Sequence, residues 1–136
     1  MTDKIHMPYE DEFADYLQNV DGLAAKTVKR HITNAVDFVY YMSAHGYEVD
    51  PDCDAEELPM DDSLLMRGGE FLGMYFSYFL PRKAFATPDS LRQSAGSVKK
   101  LYNFLLYKGV VTDEVCSEIL DEIKEDTQFW MEECDW

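Results

Sequence analysis

The chain has 136 residues, 46% apolar and 14% aromatic, with 12 lysines and arginines against 27 aspartates and glutamates and a net charge of −15. That length suits one domain with a real core, residues 1–136 as a single unit, and the charge favours solvent-facing acidity and basic partners over general nucleic-acid coating. The longest apolar run, Phe71 to Leu80, falls short of the about 20 residues that a bilayer span needs.

Residues 1–8 read as a tail, and MTDKIHMPYEDE lacks the basic-then-apolar order of a secretory signal. Tyr9, Phe13, Tyr16, Leu17 and Val20 then recur at helical spacing, which predicts a first helix broken at Asp21 and Gly22. Leu23 to His45 predicts a second, with Val28, Ile32, Ala35, Val36, Phe38, Val39 and Met42 on one arc. Lys26, Lys29, Arg30, Thr33 and Asn34 lie on the other. His31 within it is expected to be structural, because no paired acid or nucleophile accompanies it.

Residues 47–62 hold two prolines and eight carboxylates with little periodicity and read as an acidic loop. Asp50, Asp52 and Asp54 have the alternate spacing that begins a calcium loop. Pro51, Ala55 and Asp61 spoil the remainder of that pattern, so no metal is expected. Ser63 to Leu80 is apolar on nearly every side, which predicts a third helix that is central or covered by a partner, with Pro81 as its stop. Gly69 and Gly73 offer a place for close helix contact.

Ala84 to Gly109 carries the clearest pattern. Leu91, Ala95, Val98, Leu101, Tyr102, Leu105 and Leu106 share one arc; Thr87 before Pro88 reads as an N-cap with N1 proline, and Lys108 before Gly109 as a cationic last turn with a C′ glycine. Thr112 caps a fifth, acidic helix over 113–136, with Cys116, Ile119, Leu120, Ile123, Thr127, Trp130 and Cys134 on its buried stripe. No segment alternates with period two, so the expected fold is all-α, a compact orthogonal bundle of four to five helices.

Charge is sorted along this order. Residues 23–46 carry three cations and one acid, and residues 82–112 carry six cations and one acid. Residues 113–136 carry ten acids and one cation. The second and fourth helices are thus basic islands on an acidic chain. Cys53, Cys116 and Cys134 are odd in number, far apart and without a CxxC pair, which points away from a disulfide framework or zinc site and towards a reduced, cytoplasmic setting.

Two stretches carry a family resemblance. FADYLQNVDGLAAKTVKRHITNAVDFVYYMSAHG and TPDSLRQSAGSVKKLYNFLLYKGVVTDE, with the apolar third helix between them, resemble the N-terminal core-binding, SAM-like domain of tyrosine recombinases and phage integrases over most of residues 9–115. The resemblance implies a SAM-like fold that forms half of a clamp on duplex DNA, with helices two and four towards the major groove. The matching positions are Lys26, Thr27, Lys29 and Arg30 on the second helix. On the fourth they are Thr87, Ser90, Arg92, Gln93, Ser97, Lys99 and Lys100. Long cations there would neutralise phosphates while hydroxyls and amides fix register, and Arg92 or Gln93 would reach base edges.

The family's chemistry belongs to a second domain with a nucleophilic tyrosine in an arginine cradle, which these 136 residues do not contain. No glycine-rich phosphate loop or activated nucleophile stands out either, so neither an enzyme nor a cofactor is expected. The reading is a non-catalytic domain that grips double-stranded DNA. The alternative is an acidic helical protein–protein interaction module that has lost DNA binding, with a partner or a second copy on the apolar stretch 63–80 or on the acidic last helix. A third, an acidic mimic of DNA, is compatible with the net charge alone.

Overall fold

The computed structural model describes residues 6–46 and 57–134. Among them the chain is all-α, without a strand. In order come α1 (Glu10–Asn19), α2 (Ala25–Ala44), α3 (Asp62–Met66), a 3-10 turn (Gly68–Glu70), α4 (Leu72–Met74), a π-helix (Tyr75–Lys83), α5 (Pro88–Lys108) and α6 (Asp113–Glu132). Asp50, Asp52, Asp54 and Cys53 lie outside the described residues, as does most of the tail.

Helix α5 touches α1, α2, α6 and the π-helix, so the rest of the bundle is arranged around it. Its ends form as their side chains dictate. Thr87 accepts from the Ser90 backbone amide while Ser90 returns a bond to the Thr87 amide, and Gly109 closes the helix in the left-handed region at φ 85°. Thr112 caps α6 in the same way, accepting from the Val115 amide. The α6 stripe buries Cys116, Ile119, Ile123, Trp130 and Cys134, while Leu120 and Thr127 sit at its half-buried margin.

The stretch expected as one helix from Ser63 to Leu80 is instead four short windings, and Pro81 lies inside the last of them. A proline lacks the amide proton and its ring crowds the carbonyl four residues back, so a wider turn accommodates it where an α-turn does not. The expected central position does hold: Phe71, Leu72, Tyr75 and Phe76 are fully buried. Phe38 meets Tyr75 at 5.1 Å between ring centroids, and Phe76 stacks on Trp130 at 4.8 Å. Aromatic contacts of this kind stabilise by about 1 kcal/mol beyond the area they bury.

The close helix approach falls one glycine earlier than expected. Gly73 faces open space, whereas a Cβ on Gly68 would collide with the phenol of Tyr102. That phenol cannot swing away, because it is fully buried and donates to the Leu65 carbonyl at 2.7 Å. Gly68 therefore sets the distance between the 3-10 turn and α5.

Candidate nucleic-acid interface

Helices α2 and α5 meet at a buried polar knot. The Ser97 hydroxyl donates to the Gln93 carbonyl at 3.0 Å, which leaves its oxygen to accept from Asn34 Nδ2 at 3.0 Å and from His31 Nδ1 at 2.8 Å. Both His31 and Ser97 are buried, and among the described residues no buried side-chain nitrogen or oxygen lacks a partner. Further along, Tyr75 faces Asp37 of α2 and Ser94 of α5 together. In the other direction Lys100 reaches back to Asp21, just ahead of α2, at 3.2 Å. The two helices thus run antiparallel, with the start of α2 against the middle of α5.

That register brings together part of the predicted set. Arg30 from α2 and Lys100 from α5 both act on the His31 ring: its pKa is held below the usual histidine value, first by burial and then by these two cations, with Asp21 opposing them. Lys26, Lys29, Arg30 and Lys99 are exposed and make no ion pair among the described residues. Thr27 is half-buried beside them.

Other members are occupied or turned inward. Ser97, expected among the DNA contacts, lies in the seam with its hydroxyl spent on the knot. Thr87 and Ser90 satisfy one another in the capping box. Asp89 holds both Arg92, in an ion pair, and Gln93, at 2.9 Å, and the Arg92 bond keeps the Asp89 carboxyl below its ordinary pKa. Arg92 and Gln93 lie towards the Ser94 end of α5, which faces the middle of α2 and not its basic start.

No family model, curated protein or solved structure matches the chain. Its chemistry is therefore read from its own side chains. Among the described residues no three histidine, cysteine, aspartate or glutamate side chains gather in a metal-holding group, and no helix is long and apolar enough to cross a membrane. Burial pushes the Cys116 and Cys134 thiols up, away from nucleophilic thiolate; Cys116 donates to the Tyr102 carbonyl at 3.4 Å.

Sequence reasoning missed two acids that decide which cations are free. Asp89 stands three and four residues before Arg92 and Gln93, a spacing that already signals a pairing on one helix face. Asp21 lies 79 positions from Lys100. Only the fold brings them together.

Proposed function

We propose that this chain is a non-catalytic DNA-binding domain, similar in its grip to the core-binding domain of tyrosine recombinases, that holds duplex DNA through the start of α2 and the middle of α5. The observation that carries this reading is the docking of α2 on α5 through His31, Asn34 and Ser97, which sets Lys26, Lys29, Arg30 and Lys99, all exposed and without carboxylate partners among the described residues, on two adjoining helices. On a chain of net charge −15, exposed cations that pair with no carboxylate among the described residues call for a polyanion, and phosphates spaced along a duplex supply one. Lys26, Lys29, Arg30 and Lys99 contact phosphate; Arg92 and Gln93 contribute only if DNA displaces them from Asp89.

Fluorescence anisotropy with a labelled duplex at increasing salt tests this. Binding is expected at low ionic strength and falls steeply with salt, and Lys29→Ala, Arg30→Ala and Lys99→Ala each reduce the salt slope by about 1. Absence of binding at about 50 mM salt, or a slope untouched by all three changes, overturns the reading.

A second reading, a protein-interaction module, is favoured by one observation: Met74 and Tyr78 on the third helical stretch and Phe129 on α6 are exposed large apolar side chains. Tyr78→Lys abolishing a concentration-dependent dimer in light scattering supports it over DNA binding.

A further inference from the structure

A groove of about 460 Å³ runs between α1 and the C-terminal half of α5, and none of its residues belongs to the proposed DNA surface. Its floor is an aromatic ladder climbing out of the core. Phe13 meets Phe104 at 5.3 Å between centroids, Phe104 meets Tyr16 at 5.4 Å, and Tyr16 meets Tyr107 at 5.2 Å. Phe13 is wholly buried, whereas Tyr107 is 71% exposed and Val20 at the other margin 56%. Large apolar groups at this exposure on both rims leave surface that water solvates poorly.

Ion pairs tie the same segments together. Lys108 pairs with Glu12 and lies over the Tyr9 ring at 5.0 Å, while Lys100 pairs with Asp21. Both α5 cations next to the groove are therefore already neutralised. The carboxylates of Asp11 and Asp15 remain on the α1 rim. Asp11 has no partner among the described residues, and Asp15 accepts only from the Asn19 amide. Four positions apart on one helix, they face the same way.

We propose that this groove docks a basic amphipathic helix from a partner protein. An aliphatic side chain of that helix fills the space between Tyr16, Val20 and Tyr107, and lysines or arginines on the same face meet Asp11 and Asp15. Charge selects this occupant. A second copy brings its own net −15 against the rim, and a nucleic acid or anionic lipid surface is repelled by it. A trough between two antiparallel helices matches helix-in-groove recognition, in which a few apolar anchors insert and flanking charges set orientation.

The test uses the full chain, labelled with nitrogen-15, and a synthetic peptide of leucines and lysines at amphipathic helical spacing. Its twin carries glutamate at every lysine. The lysine peptide is expected to shift the amides of residues 11–20 and 104–108, and the glutamate twin to leave them unmoved. Tyr107→Ser, and separately Asp11→Lys with Asp15→Lys, weaken binding by about tenfold or more, while Phe129→Ser and Lys29→Glu change it by less than about twofold. All five substituted positions are exposed, and superimposable thermal melts verify that the variants fold. Equal binding of the twin, shifts centred on acidic α6, unaltered affinity in the groove variants, or shifts that follow protein concentration without peptide each overturn the proposal. Lys29→Glu separates the two surfaces: lost duplex binding with kept peptide binding means that they act independently.

Discussion

The two sides of α5 are built on different chemistry. Towards α6 and the π-helix the contacts are dry: Tyr102, Leu105, Phe76 and Trp130 exclude water, and Gly68 lets the chains approach closely. Towards the start of α2 the contact is a polar knot of Ser97, His31 and Asn34, with the Lys100–Asp21 ion pair beyond it. The two sides divide the labour. Apolar burial is strong but indifferent to small slips of register, whereas three convergent hydrogen bonds are satisfied at one register only. The knot fixes which basic residues of α2 lie beside which of α5; the dry side supplies most of the stability that makes such a costly polar seam tolerable.

The dry side is where a single change does most damage. Phe76→Ala removes a fully buried ring that stacks on Trp130 and touches Phe38, and is expected to cost about 3–5 kcal/mol in chemical denaturation. A loss below about 1 kcal/mol would mean that this side is not the main support. Gly68→Ala comes next, at about 1–3 kcal/mol, because the added methyl meets a phenol held by the Leu65 carbonyl. Replacing the phenol as well, in Gly68→Ala with Tyr102→Phe, tests whether that pinned hydroxyl is the obstacle: the second change then costs less in the Gly68→Ala background than alone.

The polar side gives the smallest effect and the only one tied to pH. Folded His31 has a lowered pKa, so between that value and the ordinary 6.5 the unfolded chain binds more protons than the folded one. The stability contributed by neutral His31 is therefore complete above 6.5 and lost as the pH falls through the folded pKa. Urea unfolding at about pH 7.5 and about pH 5 is expected to show a smaller pH-dependent loss in His31→Gln than in the parent chain. Comparison with the variant also removes Asp37 and Glu122, whose pKa values burial raises and which shift stability in the opposite sense. An unchanged loss would place the sensitivity elsewhere.

Much of the fold was legible residue by residue. Thr87, Pro88 and Gly109 announce the ends of α5 because caps and left-handed turns depend on local side chains, and the apolar arcs of α2, α5 and α6 follow from helical periodicity. The stretch from Asp62 to Lys83 was not, because a segment apolar on all sides has no periodicity from which to read a change of winding, and Pro81 can sit within a π-turn as well as after a helix. The candidate site was legible in type and only partly in place. Sequence marked Lys26, Lys29, Arg30, Lys99 and Lys100 as two basic groups, but the family resemblance counted Ser97 among the DNA contacts and the helical arc put Asn34 on the open face of α2, and both turn into the seam.

Helicity, the ends of most helices and the gathering of cations on two of them follow from chain order, since each depends on neighbours within a turn or two. Tertiary structure alone decided that Ser97 turns inward to His31, that Asp21 reaches Lys100, and that α1 and α5 leave an acidic, aromatic groove between them. These are contacts between residues distant in the chain, set by antiparallel packing around α5, and no local pattern encodes which side chain will meet which across such a seam.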